Sequence, residues 1–164
     1  MSETPGRYVF DAESSEHLLF LGAVVTIVAD GSDTDGALTV TVIDAPPGYE
    51  NNLHTHPPAE LFYVVDGAMT LYVDREPFRL SVGEFGVVPA NRPHGFRVAG
   101  DDPLQVLALF APAGMAAFFR AVGTPVDSRE IPPYRGPTAA DLGRMAAASP
   151  AHDVARLGPL PVEE

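Results

Sequence analysis

The chain has 164 residues, of which 46% are hydrophobic and 20% charged, a composition typical of one globular domain. It contains no cysteine, which excludes disulfides, zinc–thiolate sites and iron–sulfur clusters, and its ten basic residues are all arginine, which excludes a lysine Schiff base. The formal net charge of −12 argues against a nucleic acid partner, because binding to a phosphate backbone needs a basic surface.

An apolar run at residues 18–29 is the segment that most resembles a membrane element. It is too short to span a bilayer. Asp11, Glu13 and Glu16 precede it, where a signal peptide would carry basic residues. We therefore expect a buried pair of strands here, no membrane partner and a cytoplasmic protein.

Short runs of β-branched and aromatic residues alternate with turn residues along most of the chain, which contains 17 prolines and 15 glycines. This pattern is typical of many short strands joined by tight turns. We predict strands at residues 23–29, 37–44, 52–56, 60–65, 68–74, 77–81, 85–88, 94–99 and 104–110. Asp66 and Gly67 separate two of these runs, and they predict a two-residue hairpin in which Val65 pairs with Ala68.

Helical periodicity appears only near the C-terminus. The sequence after residue 112 places Met115, Phe118 and Phe119 on one helix face, and Gly123 ends the pattern. A second helix is predicted at residues 139–148, where Thr138 and Asp141 resemble a capping box.

The segments at residues 125–137 and 149–164 are rich in proline, glycine and alanine, so we expect extended arms or tails there. The fold class predicted from these elements is all-β, a sandwich or a barrel, with short C-terminal helices.

Three polar side chains in one short stretch are predicted to share a face. His54 and His56 are two residues apart on a strand, so their imidazoles point the same way. Glu60 begins the next strand, and its face-mates Phe62 and Val64 are apolar and therefore inward. These polar groups would be costly to bury without partners, and a bound cation removes that cost.

A third histidine is also predicted to point into the apolar interior. His94 shares its strand face with the apolar residues Phe96 and Val98. Three neutral imidazoles and one carboxylate form a ligand set that suits one divalent transition metal ion (Fe, Mn, Ni, Co, Cu or Zn) and suits calcium and magnesium poorly.

These residues carry a resemblance to a known family. The pattern Gly48–x5–His54–x–His56–x3–Glu60–x6–Gly67 resembles the first motif of the cupin superfamily at every fixed position, and Gly83–x5–Pro89–x–Asn91–x2–His94 resembles the second. Asn91 stands where the second motif usually has glycine, but asparagine tolerates a positive φ better than most residues. The resemblance implies a double-stranded β-helix (jelly-roll) barrel, with His54, His56, Glu60 and His94 as metal ligands.

The resemblance also implies a division of the chain. Residues 1–20 would be an N-terminal arm, residues 21–112 the cupin barrel, and residues 113–164 the C-terminal helices and a proline-rich tail. Single-domain cupins form dimers through barrel faces and swapped arms, so the resemblance implies a homodimer.

The Phe-rich helix after the barrel is similar to that of single-domain cupins grouped with quercetin 2,3-dioxygenases. This narrower resemblance implies a dioxygenase acting on a small aromatic or flavonol-like substrate, with dioxygen as a second substrate. It also implies a catalytic role for Glu60 as the base toward a substrate hydroxyl. Ligation without a base role is the other possibility for Glu60, because a nearby cation makes a carboxylate a weak base.

A substrate pocket is expected beside the ligands. The residues proposed to contact substrate are Phe62, Phe96, Val64, Met69, Asn52 and Phe118. Ordinary core packing is the alternative for the apolar members of this set, and a turn role is the alternative for Asn52. His17 and His152 lie outside the motifs and are expected at the surface.

Two other functions remain open at the level of sequence. One is a non-redox metal-dependent cupin enzyme, such as an isomerase, cyclase, dehydratase or decarboxylase. The other is a cupin that binds a small molecule without turnover, because no acid–base pair is evident beyond the ligands.

Overall fold

The structure is a computed structural model that describes residues 8–163. Within this range the chain forms twelve strands and two α-helices. The strands are β1 (Glu16–Phe20), β2 (Ala23–Ala29), β3 (Thr39–Ala45), β4 (Leu53–Thr55), β5 (Ala59–Asp66), β6 (Ala68–Val73), β7 (Glu76–Ser81), β8 (Phe85–Val88), β9 (His94–Val98), β10 (Leu104–Ala111), β11 (Thr124–Val126) and β12 (Ala155–Gly158). The helices are α1 (Met115–Val122) and α2 (Ala139–Ala148).

The strands form two antiparallel sheets that face each other as a jelly-roll barrel. One sheet has seven strands in the order β11-β1-β2-β3-β10-β5-β8, and the other has five in the order β12-β4-β9-β6-β7. Strand β10 illustrates why these sequences form sandwich strands. Its residues alternate, with Leu104, Val106 and Ala108 buried between the sheets and Leu107 and Leu109 on the outer face.

All nine strands predicted from the sequence are present, and residues 18–29 form the predicted buried strand pair, with Leu19 opposite Val24. His17, expected at the surface, is instead buried in β1. Its Nδ1 lies 2.9 Å from Oγ1 of Thr26, on the neighbouring strand, and its Nε2 lies 3.1 Å from the carbonyl oxygen of Glu13. The surface prediction was wrong because a histidine with two hydrogen-bonding partners can be buried at little cost.

The predicted hairpin at Asp66 and Gly67 is not formed. Strand β5 belongs to the seven-stranded sheet and β6 to the five-stranded sheet, so the turn carries the chain from one sheet to the other. Gly67 has φ 78°, and a Cβ there would collide with the carbonyl oxygen of Pro103. Met69 and Leu71 still point into the core, as predicted, because the parity of β6 survives the change of partner.

Both C-terminal helices begin and end near the predicted positions. The N–H of Gly123 donates to the carbonyl of Phe119 (2.7 Å) at the end of α1. Oγ1 of Thr138 accepts from the N–H of Asp141 (3.1 Å), and Asp141 accepts in return from the N–H of Thr138 (2.8 Å), which completes the capping box of α2.

The segments around these helices contribute strands to both sheets. Part of the predicted N-terminal arm, residues 16–20, forms β1, and residues 1–7 of that arm lie outside the described residues. Strand β11 pairs with β1, and β12 pairs with β4. The chain therefore returns to the barrel after α2, which brings its C-terminal part beside the first motif.

Neither helix within residues 8–163 has the length and apolar character needed to cross a membrane.

Candidate metal centre

Four side chains converge between the two sheets. Ligating atoms of His54, His56, Glu60 and His94 all lie within 4.8 Å of one another, and the last three residues are buried. His54 lies in β4 and directly opposite His94 in β9, within the five-stranded sheet. Glu60 lies in β5, on the other sheet. The centre therefore joins the two halves of the barrel, and the parity predicted for these residues is confirmed by their convergence.

Each imidazole is held by a backbone carbonyl at its Nδ1 atom. The carbonyl oxygens are those of Asn52 for His54 (2.7 Å), of Pro58 for His56 (2.9 Å) and of Arg92 for His94 (2.8 Å). A carbonyl can only accept, so each Nδ1 carries a proton and donates. A ring that is neutral in this tautomer presents the lone pair of its Nε2 atom, which is the arrangement that metal-bound histidines show.

The turn of the second motif contributes to this arrangement. Asn91 has φ 58°, as its place in the motif predicts, and its N–H donates to the carbonyl of His56 at 3.0 Å. The backbone around His56 and the loop that precedes His94 are thus tied to each other. This bond helps to keep two of the three imidazoles in register.

The contacts of Glu60 call for a cation. Its Oε2 lies 3.0 Å from Nε2 of His56 and 2.8 Å from Nε2 of His94. A carboxylate oxygen and an imidazole lone pair both accept, so each contact needs either a proton or a metal ion between the two atoms. Two ligands at right angles on a metal at about 2.1 Å lie about 3 Å apart. The observed separations match that spacing, so the residues present fit a metal with histidine and carboxylate ligands.

Burial and mutual charge set the ionisation of these groups. Burial and the neighbouring His94 lower the pKa of His54 to about 3, so this ring is neutral. Burial opposes ionisation of Glu60, but hydrogen bonds from His56 and His94 hold its pKa at about 2. Burial lowers the pKa of His94, and the contact with Glu60 outweighs this effect and raises it. The centre thus contains an ionised carboxylate, a group to which a cation would bind.

A cavity of about 240 Å³ opens beside the centre. His54, His56 and Glu60 line it, and so do three of the residues predicted to contact substrate, which are Asn52, Phe96 and Phe118. Most of the remaining wall is apolar or aromatic. The side chains of the centre therefore face a space with the size and lining of a small-molecule site.

Phe62, Val64 and Met69 do not line this cavity. They are buried in the core, with at most 1% of each side chain exposed, and the ring of Phe62 packs against Phe96 at 5.8 Å between centroids. Strand parity correctly placed Phe62 and Val64 on the face of Glu60. Strand parity does not determine how far a residue lies from the cavity. These residues lie where the two sheets pack directly against each other.

Much of the cavity wall comes from residues that were not predicted to contact substrate. Phe20 comes from the segment expected to be an arm, Leu21 from the first position of the expected barrel, Phe110 from β10, and Phe119 from α1. The C-terminal part of the chain contributes a further set, which consists of Tyr134, Pro137, Leu142, Met145, Val154 and Arg156. The aromatic residues of α1 were a usable signal. No local pattern indicates that residues 134–156 fold back over the barrel.

Residues 40–110 match the family model described as Cupin domain. This range contains both motifs and all four residues of the centre. The chain contains a cupin domain.

Sequence similarity to a curated protein covers more of the chain than the match to the family model does. Quercetin 2,3-dioxygenase of Bacillus subtilis (strain 168) is 30% identical over 126 residues, which cover 76% of this chain and 37% of that protein. The chain thus spans little more than a third of the length of this relative.

Solved structures share the cupin fold. KdgF from Halomonas sp. is 27% identical with a TM-score of 0.52, and the match covers 67% of this chain and 93% of that one. A structure of the DMSP lyases RdDddP and RnDddQII is 30% identical with a TM-score of 0.51, and the match covers 57% of this chain and 49% of that one. The jelly-roll fold predicted from the motifs is confirmed.

Proposed function

We propose that this protein is a metal-dependent cupin enzyme, a dioxygenase that acts on a small aromatic or flavonol-like substrate. The observation that carries the proposal is the convergence of His54, His56, Glu60 and His94 beside an aromatic-lined cavity. The similarity to a quercetin 2,3-dioxygenase supports the choice of reaction. The ligand set suits redox-active divalent metals such as Fe, Mn, Co, Ni and Cu, and also Zn.

The residues of the cavity have separate tasks in this proposal. The three imidazoles and Glu60 would hold the metal, which when bound supplies Lewis acidity and a path for electrons to dioxygen. Phe96 and Phe118 would hold a flat substrate between apolar walls and exclude water. Asn52 would hydrogen-bond a polar group of the substrate near His54, whose Nδ1 already binds the carbonyl of Asn52.

We also propose a catalytic role for Glu60. As the carboxylate of the centre, it is the group able to accept a proton from a substrate hydroxyl. Its low pKa keeps it ionised, and its contacts with His56 and His94 hold it in place. It would gain basicity when a substrate draws it away from these contacts.

Oxygen consumption tests the reaction. The metal-stripped protein would be reloaded separately with Fe(II), Mn(II), Co(II), Ni(II), Cu(II) or Zn(II) and supplied with flavonols. Consumption of dioxygen with loss of the flavonol absorbance is expected with at least one redox-active metal, and the His54→Ala variant loaded in the same way should show none. Absence of consumption with every metal, from a protein that binds the metals and stays folded, would contradict the proposal.

A non-redox reaction is the second candidate, and the similarity to DMSP lyases favours it. The same ligand set can act through Lewis acidity alone. Turnover of a substrate that continues unchanged after removal of dioxygen would support this candidate over a dioxygenase reaction.

We further propose that two copies of the chain associate through the outer face of the seven-stranded sheet. Register places two uncharged rows across four strands there, Val42–Leu107–Tyr63–Phe85 and Val40–Leu109–Leu61–Val87. Phe85 and Val87 are each 63% exposed. Chains with a net charge of −12 repel each other, and these uncharged rows let two of them pack sheet against sheet with little electrostatic cost.

A further inference from the structure

Arg156 lies on the cavity side of the strand that flanks the metal centre. Strand β12 pairs antiparallel with β4, and Arg156 is directly opposite His54. Directly opposed residues project to the same face of a sheet, with Cβ atoms about 5 Å apart. Arg156 accordingly lines the cavity together with His54, His56 and Glu60. Its side chain is exposed, so it lies at the rim.

The guanidinium of Arg156 has no acidic partner within the described part of the chain. Arg92, Arg97, Arg120, Arg129 and Arg144 all pair with carboxylates. Within the described residues Arg75, Arg79, Arg135 and Arg156 form no ion pair, and of these four Arg156 alone lines the cavity. The chain has 22 acidic residues against ten basic ones, so partners for an arginine are plentiful. An unpaired arginine at the mouth of a cavity is therefore available to a ligand.

No carboxylate of the cavity wall is available to neutralise the positive charge of Arg156. Two carboxylates line the cavity, Glu50 and Glu60. Glu50 lies 3.1 Å from Arg97, and Glu60 is held by His56 and His94. Neither is free to pair with Arg156, and the remaining lining is uncharged.

We propose that Arg156 binds a carboxylate of the substrate, so that among small aromatic substrates this site prefers organic acids with an aromatic or apolar body. The planar guanidinium matches a carboxylate with two parallel hydrogen bonds. The apolar body would lie against Phe96 and Phe118, with its reacting end toward the metal centre. This inference rests on the proposed function in one respect, namely that the cavity is the substrate site.

Binding of matched acids and amides tests the inference without any turnover. The probes are benzoate and cinnamate, with benzamide and cinnamamide as neutral counterparts of nearly the same shape. Affinities would be measured by calorimetry on metal-free and metal-loaded protein. Because a carboxylate can also bind a metal directly, the informative comparison is between the wild type and Arg156→Gln in the same metal state.

The acids should bind the wild type about tenfold to a hundredfold more tightly than they bind Arg156→Gln, as loss of a charged hydrogen-bonded partner predicts. The amides should bind both proteins equally. Arg156→Lys, which keeps the charge without the planar fork, should bind the acids with intermediate affinity. Arg79→Gln is the matched control, since Arg79 is exposed on β7 and does not line the cavity.

Three outcomes would overturn the inference. The first is equal affinity of the wild type for acids and amides. The second is an equal loss of affinity for both probe classes in Arg156→Gln. The third is that neither class binds to a folded, metal-loaded protein. Failure of the dioxygenase proposal looks different, because a preference for acids would persist without oxygen consumption. Conversely, oxygen consumption on flavonols by a protein that binds acids and amides equally would contradict this inference alone.

Discussion

Oε2 of Glu60 lies 2.8 Å from Nε2 of His94, although the two residues come from strands in opposite sheets. Nδ1 of His94 already donates to the carbonyl of Arg92, so its Nε2 presents a lone pair unless the ring is doubly protonated. A metal ion held by these atoms would turn a contact of two acceptors into two coordinate bonds and would link the two sheets.

Removal of one ligand should abolish tight metal binding. His94→Ala leaves Glu60 and two imidazoles, and its metal affinity should fall by more than the about 10–100-fold that loss of an outer contact costs. Elemental analysis and calorimetry with Co(II) or Ni(II) would measure this. His152→Ala is the control, because His152 lies outside the cluster and contacts Phe118 instead. Equal affinity of wild type and His94→Ala would contradict the assignment.

Metal binding should stabilise the fold. A ligand that binds only the native state at a hundred times its Kd adds about 2.7 kcal/mol to the free energy of unfolding. For a chain of this size we expect Tm to rise by roughly 5–10 °C. Thermal unfolding with and without metal, followed by addition of a chelator, would measure the shift. His56→Ala should show no comparable shift, and a shift of equal size in that variant would place the binding elsewhere.

Gly67→Ala should destabilise the protein more than Gly83→Ala. Both glycines have a positive φ, 78° and 87°. A Cβ at Gly67 would collide with the backbone of Pro103, whereas a Cβ at Gly83 would meet no atom within 4 Å. We expect about 1–2 kcal/mol for Gly83→Ala from the backbone conformation alone, and a larger loss for Gly67→Ala. Urea denaturation measures the free energy of unfolding of both variants. Equal losses would show that the turn between the two sheets can shift to accommodate a Cβ at residue 67.

Substitution by leucine should have different effects at Phe118 and at Phe62. Phe118 lines the cavity, whereas Phe62 is buried away from it. We expect Phe118→Leu to weaken the binding of a flavonol severalfold. Phe62→Leu should lower the free energy of unfolding by about 1–2 kcal/mol and leave that affinity nearly unchanged. Titration of quercetin against both variants, with their unfolding curves, separates the two roles. Equal weakening by both would mean that the substrate reaches deeper than the cavity.

Leu109→Lys should convert a dimer into a monomer. Leu109 lies in the outer uncharged rows, between Val40 and Leu61. A lysine there would lose its hydration in the proposed interface, at a cost of several kcal/mol. Sedimentation equilibrium measures the change. Phe78→Lys is the control, since Phe78 is 53% exposed on the other sheet. A wild-type chain that stays monomeric at high concentration would contradict the proposed association.

The sequence by itself determined most of the strands and the four side chains that converge as candidate metal ligands. His54, His56 and Glu60 lie close together in the chain, and strand parity and the proline turn between them are local properties. His94 required a second motif, in which Asn91 adopts the positive φ that its position demands. These features depend on a few neighbouring residues, and such residues can be judged without knowledge of the rest of the chain.

Only the tertiary structure decided which strands pair and which residues enclose the cavity. The turn at Gly67 has the sequence of a hairpin, but β5 and β6 find better partners in separate sheets. Phe62 and Phe96 share a core, yet only Phe96 reaches the cavity. The return of β12 beside β4 places Arg156 opposite His54, about a hundred residues away along the chain. The reason is physical, because sheet partners are chosen by burial of surface over the whole barrel, and no local pattern encodes that choice.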